Sequence, residues 1–80
     1  MTKNELIDLI ENGSDILLDV DNRHFGIFTW CDEGVGIGEG TPIIDELEYF
    51  DSSEELVEQF VVGGKTLGEL AEKVKITDYS

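Results

Sequence analysis

The sequence predicts an α+β domain: an N-terminal helix, a three-stranded antiparallel meander, then two short helices and a C-terminal edge strand. Three observations predict it. Apolar residues recur at helical spacing near the start and in the last third of the chain. Between those stretches they alternate with acidic residues, as in a strand with one wet face. Clusters of Gly, Asp and Asn separate the segments as turns.

The first helix is announced by Thr2 and Glu5, whose spacing is that of a capping box, each side chain satisfying an orphan backbone N–H of the first turn. Leu6, Ile7, Leu9 and Ile10 form its apolar stripe, and Gly13 is expected to stop it in a left-handed conformation. Ile16, Leu18 and Val20 then alternate with Asp15, Asp19 and Asp21 as a first strand, and Asp21-Asn22-Arg23 turns the chain. His24 to Cys31, rich in aromatic and branched residues, is a second strand. After the turn Asp32-Glu33-Gly34, Val35 and Ile37 mark a short third one.

Thr41-Pro42 interrupts regular structure, and residues 43–50 read as a loop ending in an extended piece at Leu47 to Tyr49, with an edge strand or helical turn as alternatives. Ser52 with Glu55 is a second capping box (Asp51 with Glu54 gives another register), followed by Leu56, Val57, Phe60 and Val61 as a buried helix face. Gly63-Gly64 is expected to end that helix. Thr66 with Glu69 opens a third, on Leu67, Leu70, Ala71 and Val74, with Lys73 and Lys75 near its C-terminus. Residues 75–79 close the chain as the edge strand. Residues 1–80 form a single domain without repeat, linker or low-complexity segment.

Charge narrows the function. Nineteen acidic residues against five basic ones give a net charge of −14. Direct binding of DNA or RNA needs clustered Lys and Arg, and so does an anionic membrane surface, so neither is expected. With 40% apolar residues the chain has material for a core. A domain of this size buries only about 60% of its unfolded surface, and self-repulsion narrows its margin further. Glu5, Asp8 and Glu11 stand where a secretion signal needs a basic start and an apolar run. With the single Cys31, which excludes an internal disulfide, they predict a cytoplasmic protein.

No catalytic or cofactor motif is complete. Gly63-Gly64-Lys65-Thr66 matches the tail of a phosphate-binding loop, but Gln59 stands where its first glycine belongs. Glycines 34, 36, 38 and 40 do not follow the dinucleotide fingerprint; at period two they share one face of a strand, leaving room for aromatic cover or for a partner. His24 and Cys31 lie about 23 Å apart along one strand at ~3.3 Å per residue, too far to share a proton. Asp19 and Asp21 open like a calcium loop, but Arg23 and His24 occupy the next positions. The chain therefore reads as a non-enzymatic protein with no cofactor and no metal.

Two features point to binding. In the second strand Phe25, Ile27 and Cys31 face one way while His24, Phe28 and Trp30 face the other. Either helices cover both faces or Phe28 and Trp30 form an exposed patch rimmed by Asp15, Asp19 and Glu33. In addition, no Lys or Arg occurs from His24 to Gly64, a stretch that contains Asp32, Glu33, Asp45, Glu46, Glu48, Glu54 and Glu58. These acids, with Phe28 and Trp30, are the candidate partner-binding residues. The expected partner is a basic protein, in the most specific form a nucleic-acid-binding one whose phosphate groove the acidic surface occupies as a mimic. A homo-oligomer burying the aromatic and glycine face ranks second, and a small-ligand binder or enzyme third.

The segment Phe60-Val61-Val62-Gly63-Gly64-Lys65-Thr66-Leu67-Gly68-Glu69-Leu70, after a Ser-Ser-Glu-Glu-Leu helix start, resembles small acidic proteins of Gram-positive bacteria and their phages. It covers roughly a third of the chain. The resemblance implies a phage or mobile-element setting, in which an inhibitor of host nucleic-acid enzymes fits by analogy. It assigns no site residue.

Overall fold

The computed structural model describes residues 1–40 and 46–80. Helix α1 (Lys3–Asn12) starts at the Thr2–Glu5 box, with both reciprocal bonds made: Glu5 N–H to Thr2 Oγ1 at 3.1 Å and Thr2 N–H to Glu5 Oε1 at 2.8 Å. Gly13 ends it in an extended conformation, φ −105°, not a left-handed one. The residue is small for want of space: a Cβ there would lie 2.9 Å from the Tyr79 ring and 3.0 Å from Ile16 Cδ1.

Strands β1 (Asp15–Val20), β2 (Arg23–Cys31) and β3 (Gly34–Glu39) form the meander. Asp21 and Asn22 both take positive φ (54° and 61°), the signature of the tight hairpin turn whose twist matches that of its strands. The β2–β3 turn needs Gly34, which has φ +124°; a side chain there would collide with the Phe50 carbonyl oxygen. Strand β4 (Glu48–Phe50) adds beside β3, and α2 (Ser53–Gln59) starts from the Ser52 cap. Strands β5 (Val61–Val62) and β6 (Lys65–Thr66) make a separate small hairpin, and β7 (Lys75–Tyr79) returns to pair with β1. The main sheet is antiparallel in the order β4-β3-β2-β1-β7.

The α+β class expected from the sequence is therefore corrected: among the described residues the chain is mostly sheet, one of five strands and one of two, with one longer and one short α-helix. Two local errors account for much of this. Gly63-Gly64 does not stop a helix. Helix α2 already ends at Gln59, capped by Phe60, and Gly63 and Gly64 (φ +60° and +89°) turn the β5–β6 hairpin, leaving Val61 exposed. The helix expected from Thr66 onward does not form either. Its capping box is fully made, with Glu69 N–H to Thr66 Oγ1 at 3.2 Å and Thr66 N–H to Glu69 Oε1 at 2.9 Å. Beyond the box the chain makes only a turn and a 3-10 helix at Ala71–Lys73. Gly68 disfavours a helix interior. The Ala71, Lys73 and Val74 amides bond three residues back, while the Leu67 and Gly68 amides donate to the Phe60 and Val57 carbonyls at 2.8 Å each, so the turn caps the end of α2. The apolar stripe is buried all the same, with Leu67, Leu70, Ala71 and Val74 all in the core.

That core lies on one side of the main sheet. Ile16, Leu18, Val20, Phe25, Ile27, Val35 and Ile37 face Leu6, Ile7 and Ile10 of α1 and Leu56 and Val57 of α2. Phe60 bridges Phe25 and Phe50 edge to face, with centroids 5.6 and 6.4 Å apart. At its end Arg23 makes a two-pronged bond to Glu39 (2.6 and 2.7 Å) and stands 5.5 Å from the Phe25 ring. The Glu39 carboxyl is held below the usual 4.5 chiefly by that hydrogen bond. Glu5 and Glu69 are held low by the backbone amides of their boxes. Among the described residues no helix is long and apolar enough to cross a membrane.

Candidate functional site: the outer face of the sheet

Period-two geometry assigns the opposite face. Residues directly paired across antiparallel strands point to the same side, and Ile16, Leu18, Phe25 and Ile27 all point inward. Outward therefore go Asp15, Leu17 and Asp19 of β1, His24, Gly26 and Phe28 of β2, Gly36 of β3 and Tyr49 of β4. Both α-helices lie on the inner side, so neither covers this face.

Rows run across it. Asp15, Phe28, Gly36 and Tyr49 are consecutive neighbours in one, and Leu17, Gly26 and Gly38 in the next. The glycines form a floor on which larger side chains lie. A Cβ at Gly26 would sit 3.2 Å from the Phe28 ring and 3.4 Å from Leu17 Cδ2; at Gly36 it would sit 2.8 Å from Leu47 Cδ1 and 3.1 Å from the Tyr49 ring. The aromatic cover expected from the sequence is thus shared by Phe28, Tyr49 and two leucines. Trp30 does not belong to it.

Trp30 stands apart because β2 carries a bulge between Phe28 and Cys31. The extra residue takes Thr29 off the β3 ladder. Its N–H donates to Ser14 O at 3.1 Å and its Oγ1 to Gly13 O at 2.5 Å. Trp30 is left 55% exposed, its indole N–H donating to Asp15 Oδ1 at 2.6 Å and its ring in T-shaped contact with Phe28, centroids 6.1 Å apart. Leu17 is 40% exposed beside them. His24 Nδ1 meets Asp19 Oδ1 on the same face. Exposed Asp32 and Glu33 occupy the β2–β3 turn and, with Trp30 and Cys31, line a surface cleft of about 210 Å³.

The candidate residues are not all brought together. Phe28, Trp30, Asp32 and Glu33 lie on the outer face or at its end. Glu46 and Glu48 are exposed at and just before the edge strand β4. Glu54 and Glu58 lie on α2, on the inner side of the sheet, where Glu58 is bound to Lys3 of α1 at 2.7 Å. Asp45 lies outside the described residues. Acids adjacent in sequence are thus divided between the two sides, because α2 turns back over the core.

Leu17 and Tyr49 belong to the face, although sequence reasoning missed both. The signal for Leu17 is an apolar residue in the wet register of β1, between Asp15 and Asp19. For Tyr49 the signal is its place opposite Gly36, which only strand pairing reveals. Among the described residues no group of three or more His, Cys, Asp or Glu is arranged to hold a metal ion. No family model, no curated protein and no solved structure matches the chain.

Proposed function

We propose that the protein is a non-enzymatic binding module that holds a basic partner protein on the outer face of its sheet. The observation that carries this reading is Trp30, more than half exposed beside Leu17 and Phe28 on a sheet face that neither α1 nor α2 covers. Large aromatic residues at the centre of an exposed patch are typical anchors of protein interfaces. The rim is acidic, with Asp15, Asp19, Asp32 and Glu33 around the patch. A rim of one sign selects a partner of the other sign and speeds its approach.

Charge also separates this reading from self-association. Two copies meeting face to face would each bring a net charge of −14 and the same acidic rim. A nucleic-acid mimic needs one continuous acidic ribbon, whereas Glu54 and Glu58 lie across the sheet from Asp32 and Glu33, so the aromatic face and not the acidic run is the centre of the proposed site. The single free Cys31 suits a cytoplasmic setting.

The test is capture from a bacterial lysate by three immobilised proteins, released in a salt gradient. These are wild type, an outer-face variant (Leu17→Glu with Trp30→Glu) and an α2 variant (Glu54→Gln with Glu58→Gln). The reading expects one basic protein to be held by wild type and the α2 variant and lost by the outer-face variant. Capture that survives Leu17→Glu with Trp30→Glu, or that fails only in the α2 variant, would overturn it.

A further inference from the structure

We propose that the cleft beside Trp30 receives an arginine side chain of the partner, an inference that rests on the outer-face reading above. The cleft is lined by one aromatic residue, Trp30, with Cys31 and two acids, Asp32 and Glu33. Neither acid has a cationic partner among the described residues; the ion pairs there are Lys3–Glu58, Arg23–Glu39 and His24–Asp19. A cation in the cleft has Trp30 and two carboxylates among its neighbours. Indole is the strongest of the aromatic side chains for cation–π contact.

The ring is already in place. Its N–H is bonded to Asp15 Oδ1 at 2.6 Å and the ring is in T-shaped contact with Phe28, so binding costs little ring entropy. A hydrogen bond from the indole N–H to an anionic oxygen also pushes electron density into the ring and deepens the negative potential over its faces. Asp15 is therefore a positioning residue that also strengthens the indole's attraction for a cation. Arginine is favoured over lysine because a guanidinium is planar and weakly hydrated. It stacks flat on an indole while its N–H fork bonds a carboxylate, which an ammonium does not do.

Trp30 is the chain's single tryptophan, so its indole N–H resonance reports the cleft directly. The experiment titrates a hexa-arginine and a hexa-lysine peptide into the ¹⁵N-labelled protein and follows the amide and indole N–H shifts. Shifts should centre on Trp30, Asp32 and Glu33, with hexa-arginine about three- to fivefold tighter than hexa-lysine. Trp30→Leu should erase that preference, and Asp15→Asn, which keeps an acceptor but removes its charge, should reduce it.

Equal affinity for the two peptides, or no shift anywhere, would overturn the cleft assignment. So would shifts centred on Leu17 and Tyr49 with the indole unmoved, although that outcome would leave the outer-face reading standing. Shifts centred on Glu54 and Glu58 would overturn both.

Discussion

On its inner side the five-stranded sheet carries branched and aromatic residues from Ile16 to Ile37 under two helices, most of them less than a tenth exposed. On its outer side the same strands carry Asp15, Leu17, Asp19, His24, Phe28 and three glycine positions, which neither α1 nor α2 covers. Side chains one residue apart thus belong to different solvents. The comparison teaches that a strand can divide its duties at period two: the inner residues supply stability and leave the outer ones free for binding.

The sharpest way to break the comparison is to exchange large for small on each side. Ile27→Ala should cost about 2–5 kcal/mol, the usual loss for a fully buried aliphatic side chain. A domain of this length is held by roughly 4–12 kcal/mol, so this variant should be partly unfolded at 37 °C. Trp30→Ser, on the other face, should cost no more than about 1 kcal/mol, the worth of an exposed hydrogen bond and ring contact. Urea titrations read by circular dichroism measure both. Equal losses would mean that the outer face is structural.

A second substitution tests whether the outer face is uniformly permissive. Gly36→Val would drive a Cβ to 2.8 Å from Leu47 Cδ1 and 3.1 Å from the Tyr49 ring. The Leu47 tip can give way, so the expected cost is about 1–3 kcal/mol, that of an overpacked site. A neutral result in the same titration would show that the cover over the glycine floor is loose.

The smallest effect concerns the Arg23–Glu39 pair at the end of the inner face. In the folded chain Glu39 titrates below the usual 4.5, held down by the Arg23 hydrogen bond. Its contribution is therefore complete above the unfolded value and is lost as the pH falls through the lowered one. The Glu39→Gln variant should melt below wild type at pH 7, and the gap should close towards pH 3. A gap that is constant across this range would show that the pair contributes nothing through its charge.

The elements held by local chemistry were legible in the sequence. Thr2 and Glu5 lie within one helical turn and make their reciprocal bonds regardless of the rest of the chain. The alternation at Ile16, Leu18 and Val20 and the opposed sides of Phe25 and Phe28 come from strand geometry alone, and so the central part of the site could be read. The elements that were misread depend on distant partners. Thr66 and Glu69 form as good a capping box as the first pair, yet the Leu67 and Gly68 amides tie it to Phe60 and Val57, and the Ala71, Lys73 and Val74 amides bond three residues back, as in a 3-10 turn and not an α-helix. Phe60 and Val61 fit a helical stripe by spacing, but Val61 sits in a hairpin and is exposed. The division of the acids between two sides depends on α2 folding back over the core, which residue spacing does not encode.

The pairing of β7 with β1 has a consequence for the order in which the chain assembles. Leu17 finds Asp78 as its neighbour, and the Ser80 carbonyl accepts from the Ser14 and Asp15 amides, so one flank of the sheet waits for residues made about sixty positions later. During synthesis β1 has an open edge while the β1–β2 hairpin is already complete. Such long-range pairing slows folding and exposes an unpaired strand meanwhile. Asp15 and Asp19 stand on that waiting strand, and their charge keeps two nascent chains from pairing along it.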